Sequence, residues 1–297
     1  MKEQDITIGI VSYYRGKALK RCIESLSPLF NIIVFDNNTT GEDLEDIKEI
    51  DKNFSNVRVI YNPENEGLTK AWNRVTVESK TDWVILTCDD MIFDEDWFQV
   101  LNNILSSKPQ LEQIHLNSFN CIALHKKTIV RMGWWDERYR YYPSMEDDDW
   151  YLRTVELLEY SPYTKMPKHL IFPDYHIKLI KPFLNKVASL HDRSDNFTYF
   201  CNSPYSKHKI IGKSTITGNE DDAGSRNNIN SNPHLEMNGI QFHHKKWEPV
   251  DLRKEPLENS DIILGKDGRC WKRVGRDIDF YPEVRKLYAK KYFNIEL

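Results

Sequence analysis

Apolar and polar positions divide the first ninety residues into short apolar runs that alternate with amphipathic stretches. Ile6 to Val11 is a β-rich run, and from Arg15 to Leu29 the residues Ala18, Leu19, Cys22, Ile23 and Leu26 recur at helical spacing. Asn31 to Phe35 is continuous and apolar and ends on Asp36-Asn37-Asn38, as a buried parallel strand ends at a polar loop. The acidic stretch Thr39 to Asp51 reads as a loop and helix start. Val57 to Tyr61 is a third strand, followed by turn residues from Asn62 to Gly67. Leu68 to Ser79 carries Leu68, Ala71, Trp72 and Val75 on one helical face, and Asp82 to Thr87 is a fourth strand running into Cys88-Asp89-Asp90.

This alternation predicts an α/β chain with a parallel sheet in three layers, whose ligands lie beyond the carboxyl ends of the strands. The clusters Asp36-Asn37-Asn38 and Cys88-Asp89-Asp90 both fall at that edge, so two independent features indicate one cleft. Further on, Asp96 to Leu105 is helical and Gln113 to Leu124 is a strand pair. Met132 to Glu137 opens an aromatic loop that reaches Tyr142, and Glu146-Asp147-Asp148-Asp149 precedes a helix over Trp150 to Leu158. The pattern then breaks into short apolar pieces as far as Asn219. Gly218 to Asn238 is polar and rich in Gly, Asn and Ser, as a mobile loop is, and Pro282 to Tyr292 is a terminal helix. The divisions are 1–217 for the main domain, with halves 1–110 and 111–217, then 218–247 as a loop and 248–297 as a C-terminal extension.

Composition narrows the classes. The chain has 297 residues, 40% of them apolar and 29% charged, enough to bury one principal core and far from the composition of disordered chains. A net charge of −4 offers no general attraction to nucleic acid or anionic lipid. Aromatic residues reach 12%, and although most such rings pack in cores, flat rings at a surface also hold sugars and bases. The five cysteines (Cys22, Cys88, Cys121, Cys201, Cys270) are widely spaced without a C-x-x-C pair, which suits reduced thiols. With no charged-then-apolar leader and no apolar run near the roughly 18 residues of a membrane span, a soluble cytoplasmic protein is expected.

Two acidic clusters carry the candidate chemistry. Asp89-Asp90 follows a buried strand, where hard carboxylate oxygens suit Mg²⁺ or Mn²⁺ facing phosphates. The run Glu146 to Asp149 complements a helix dipole, but capping needs only one or two acids, and four repel one another. That leaves acids for proton transfer.

Several motifs occur in the order and spacing of family 2 glycosyltransferases and their GT-A relatives, over roughly residues 6 to 193. Val11-Ser12-Tyr13-Tyr14-Arg15 resembles the family's strand-end Pro-Thr-Tyr-Asn-Arg element, departing at Val11 and Tyr14. Val34 to Thr39 is similar to the segment whose aspartate contacts uracil, here Asp36. Asn65-Glu66-Gly67 with Ala71-Trp72-Asn73 resembles the stretch along the nucleotide. Leu86 to Met91 takes the place of the Asp-x-Asp motif with Cys88 as its first position. Gly133 to Arg138 with Glu146-Asp147 and Arg153 resembles the acceptor-side motif of inverting members.

The resemblance implies a GT-A (nucleotide-diphospho-sugar transferase) fold, Rossmann-like with α/β/α layers, a mainly parallel sheet and a C-terminal extension. It implies an inverting hexosyltransferase that moves a sugar from a nucleotide sugar, expected to be a UDP-sugar, to a hydroxyl of a glycan or glycoconjugate. Asp147 would be the general base and Glu146 would hold the acceptor hydroxyl. Ser12, Tyr13, Arg15, Asp36, Asn65, Gly67, Asn73 and Asp89 would line the donor. Asp90 would bind Mn²⁺ or Mg²⁺ with His191, in competition with His169 and His176. Lys246, or Lys245, would reach the pyrophosphate beneath the loop 218–247. Trp134, Trp135 and Tyr142, with Tyr141, would form an acceptor platform.

Three other readings compete. A nucleotidyltransferase needs a Gly-rich loop after the first strand, and Ser12 to Gly16 holds a single glycine. A non-catalytic carbohydrate-binding or scaffolding protein would accommodate Cys88. A DNA-base glycosyltransferase would need the basic segments 178–193 or 207–213 to overcome the acidic net charge.

Overall fold

A computed structural model of the chain describes residues 1–157, apart from 108, 110, 118, 119, 138 and 140–145, together with strand residues 198–200, 212–214, 247–249, 262–264 and 270–273. The four apolar runs become β1 (Ile6–Ser12), β2 (Asn31–Asn37), β3 (Val57–Asn62) and β4 (Trp83–Cys88). Between them lie α1 (Gly16–Glu24), α2 (Glu42–Asn53) and α3 (Leu68–Glu78). There follow β5 (Met91–Phe93), α4 (Trp97–Ser107), β6 (Gln113–Asn117), β7 (Cys121–His125), α5 (Lys126–Met132) and α6 (Glu146–Leu157). The later strands are β8 (Thr198–Phe200), β9 (Gly212–Ser214), β10 (Trp247–Pro249), β11 (Ile262–Leu264) and β12 (Cys270–Arg273).

The main sheet runs β3-β2-β1-β4-β7-β6-β8. β1 pairs in parallel with β2 and β4, and β2 with β3, while β7 runs antiparallel to both β4 and β6. The expected strand pair over Gln113 to Leu124 is therefore the β6–β7 hairpin. On one face Ile8, Ile10, Val34 and Ile85 meet Leu19 and Ile23 of α1, Ile47 of α2 and Leu101 of α4. The other face presents Ile33, Phe35, Val84 and Leu86 to Trp72 and Val75 of α3, Ile129 of α5 and Trp150 of α6. These faces give the three layers.

α3 lies so close on β1 that only glycine fits beneath it: a Cβ on Gly9 would sit 2.2 Å from Val75 Cγ1. The edge of the sheet is blunted by Asp51, whose carboxylate accepts from the Val59 backbone at 3.3 Å and the Tyr61 hydroxyl at 3.2 Å.

Three boundaries differ from expectation. α1 stops at Glu24, so the stretch on to Leu29 is outside it. α5 was not anticipated, and the helix expected from Trp150 starts at Glu146, with the acids as its first turn. Among the described residues no helix is long and apolar enough to cross a membrane. The terminal helix over 282–292 lies outside the described residues, as does the loop expected over 218–247 except for Trp247, which opens β10.

Candidate active site

The register of the parallel strands aligns the polar strand ends. Ser12 pairs with Asp36, Asp36 with Tyr61, and Val11 with Cys88, so β1, β2, β3 and β4 release their last residues along one edge. Asp89 and Asp90 follow immediately and are only 4% and 5% exposed. Ser12 Oγ donates to Asp89 Oδ2 at 3.0 Å. Arg15, at the N-cap of α1, places Nη1 3.2 Å from Asp89 Oδ1 and Nη2 3.3 Å from Asp90 Oδ2. Sequence reasoning named these four residues separately, and the fold joins them.

Burial dominates the electrostatics of this cluster. It pushes the Asp89 carboxyl up from 3.8 to about 7, against the opposing pull of Arg15, with Asp90 adding to the rise. Burial also pulls the Arg15 pKa down, but Asp89 and Asp90 more than offset this and leave it raised. The Cys88 thiol is pushed well above its usual range by burial and by the neighbouring carboxylates. A thiol so disposed stays neutral near pH 7.

Next along the edge, the buried Asp36 carboxylate accepts the Thr39 N–H at 3.0 Å, and burial raises its pKa. Tyr13 packs edge-on against Tyr14, with ring centroids 4.6 Å apart. Tyr14 itself sits at φ 55, the left-handed conformation that an asparagine adopts more readily than a bulky residue. The Asn37 amide donates to Asn65 Oδ1 at 2.8 Å, and that oxygen also accepts the Gly67 N–H at 3.0 Å. Gly67 has φ 81 at the N-cap of α3, which a side chain would resist. Asn37 was not named as a site residue, although it orients Asn65.

Residues 7–131 match the family model for glycosyl transferase family 2. This matched segment, which runs from β1 into α5, is similar to a family 2 glycosyltransferase domain. Two solved structures are similar to parts of the chain. S. aureus TarS 1-349 in complex with UDP-GlcNAc is 11% identical over 50% of this chain and 53% of that chain, at a TM-score of 0.42. The mannosyltransferase PcManGT from Pyrobaculum calidifontis in complex with GDP-Man and Mn²⁺ is 13% identical over 64% and 70%, at 0.39. The chain thus spans about half the length of the TarS fragment. No curated protein matches the sequence.

Around the loop after α5, the expected site residues Asn73, Trp134 and Trp135 have structural partners. Asn73 Nδ2 donates to the Trp135 carbonyl at 2.9 Å and to Glu137 Oε1 at 3.0 Å, while its Oδ1 accepts the Trp135 N–H at 3.0 Å. With its amide engaged in this way, Asn73 fastens the loop after α5. Trp134 and Trp135 are 2% and 1% exposed, so neither offers the open ring face of a sugar platform. Trp135 lies between Trp72, 4.5 Å away, and Trp150, stacked at 4.2 Å. Gly133 at φ 90 and Trp134 at φ 73 turn the chain inward as α5 ends, which carries both indoles into the core. Trp134 and Glu137 also border a cavity of about 380 Å³ with Phe35, Tyr61, Lys70 and Arg74.

The four acids of α6 divide by environment. Asp149 is fully buried and bonds Arg153 Nε at 2.8 Å and Trp247 Nε1 at 2.9 Å. Arg153 Nη1 then reaches the carbonyls of Met132 at 2.7 Å and Trp134 at 2.9 Å. Trp150 Nε1 donates to Gln113 Oε1 at 3.0 Å, tying the helix to β6. Asp147 is half-buried, and its Oδ1 accepts the Asp148 N–H at 2.9 Å. Glu146 is buried beside it. Tyr141, Tyr142, His169, His176, His191, Lys245 and Lys246 lie outside the described residues.

The donor set at Asp89 and Asp90 fits a hard divalent ion: two buried carboxylates at a strand end, of the kind that leaves remaining positions to phosphate oxygens and water. Among the described residues no group of three or more His, Cys, Asp or Glu side chains gathers to hold a metal by itself.

Proposed function

We propose that the chain is an inverting glycosyltransferase that transfers a sugar from a nucleotide diphosphate sugar, a UDP-sugar, to a hydroxyl of a glycan acceptor. The observation that carries this reading is the single polar edge formed by Ser12, Asp36, Asp89 and Asp90 on aligned parallel strands of a segment similar to a family 2 domain. Asp36 and the Asn37–Asn65 pair would receive the nucleoside, and Asp90 with Asp89 would hold Mn²⁺ or Mg²⁺. A bound divalent ion supplies positive charge against the leaving diphosphate.

Asp147 takes the acceptor proton. Its carboxylate stands in the first turn of α6, where its Oδ1 accepts the Asp148 N–H. Glu146 orients the acceptor hydroxyl. Asp149 takes no part in the chemistry, because both its oxygens are engaged in holding the helix. Turnover of a panel of nucleotide sugars with Mn²⁺ tests the reading: free nucleotide should be released from one donor, with inverted configuration in the product. A retained configuration would remove inversion, and no turnover with any donor and glycan acceptor would remove the activity.

A further inference from the structure

The Arg15 guanidinium bridges Asp89 and Asp90 through two separate nitrogens, with a side chain 13% exposed. Its Nε is buried and makes no hydrogen bond within the protein. An arginine committed to a structural network is expected to satisfy its whole fork, since a buried donor left unpaired costs free energy. Here two nitrogens face carboxylates and the third faces none, so the geometry is that of a counter-ion. Two adjacent buried carboxylates repel each other, and Arg15 is a cation set against both.

We propose that Arg15 is a resident counter-ion that competes with a divalent metal for Asp89 and Asp90. The acid pair carries its compensating charge before any metal arrives, and a metal ion must displace the guanidinium to take both carboxylates. Metal binding to the free protein is therefore weak. The displaced guanidinium turns toward the diphosphate, which it suits as a planar bidentate donor. This inference rests on the proposed metal role of Asp89 and Asp90. Its test reads metal binding directly and so stands apart from whether any donor sugar is turned over.

The experiment is a Mn²⁺ titration of the full chain, free of nucleotide, followed by electron paramagnetic resonance, with wild type, Arg15→Gln and Arg15→Lys compared. Removing the positive charge should tighten Mn²⁺ binding at least about tenfold in Arg15→Gln, whereas Arg15→Lys, which keeps the charge, stays near wild type. Arg15→Gln should also melt at a lower temperature than wild type and recover with saturating Mn²⁺, since the ion replaces the lost charge. A solely structural arginine predicts the lower melting temperature with unchanged or weaker Mn²⁺ binding, and that result overturns the proposal. If Arg15→Gln does not fold without metal, refolding with Mn²⁺ but not in Mn²⁺-free buffer supports the proposal, and failure to refold with Mn²⁺ overturns it.

Discussion

Trp247 Nε1 donates to Asp149 Oδ1 at 2.9 Å, joining β10 to α6 across 98 residues of sequence. The contact is fully buried, with Leu152 packed beside the indole. It gives the C-terminal region a role that sequence reading left blank: the strands after the polar loop brace the helix that begins with Glu146 and Asp147. Trp247→Phe keeps the ring and deletes the donor. Leaving a buried carboxylate one partner short should lower stability by about 1.5–3 kcal/mol in urea unfolding.

Asn73 provides a second test. Its three hydrogen bonds to Trp135 and Glu137 all serve the loop. Asn73→Ala should lower stability by about 2–4 kcal/mol. If the side chain acts as a fastener, nucleotide affinity of the folded protein, measured by calorimetry, should remain within about threefold of wild type; a larger loss would assign Asn73 to the nucleotide.

The fit of α3 on β1 predicts a compensating pair. Gly9→Ala forces a Cβ into Val75 and should cost about 1–3 kcal/mol of overpacking. Val75→Ala in the same chain removes the obstructing methyl groups, so the double variant should unfold at higher denaturant concentration than the sum of the single effects predicts.

The first four strands and their helices were legible because each strand is a continuous apolar run ending in polar residues. Such runs need no distant partner to be recognised. α5 was not legible, since Lys126 to Met132 is short and contains the β-branched Thr128, Ile129 and Val130. The start of α6 was missed because a run of four acids lacks apolar periodicity. At the site, Asp36, Asp89 and Asp90 followed from their strand-end positions. The structural duties of Asn73 and Asp149 depend on partners 62 and 98 residues away, which no local pattern carries. Trp134 and Trp135 were read as part of an acceptor platform, and the left-handed turn at Gly133 and Trp134 is what takes them inward.

Asp89 gives the metal-free protein a characteristic pH dependence. Its folded pKa, about 7, lies above the ordinary 3.8, so the folded state binds this proton more tightly than the unfolded state. The stability contribution is complete below about pH 3.8 and declines as pH rises toward 7, the reverse of a salt-bridged carboxylate. Melting temperatures across that window should show this decline relative to Asp89→Asn, in which it is absent. Mn²⁺, which favours the ionised form, should reduce the difference near pH 7.

The central claim is transfer of a sugar with Asp147 as the base. It is tested most directly by measuring nucleotide release and nucleotide-sugar binding together in wild type and Asp147→Asn, with the donor selected from the panel. The account predicts that kcat falls by about 10²–10⁴ while the donor Kd from calorimetry stays within about threefold. Undiminished kcat in Asp147→Asn would contradict it.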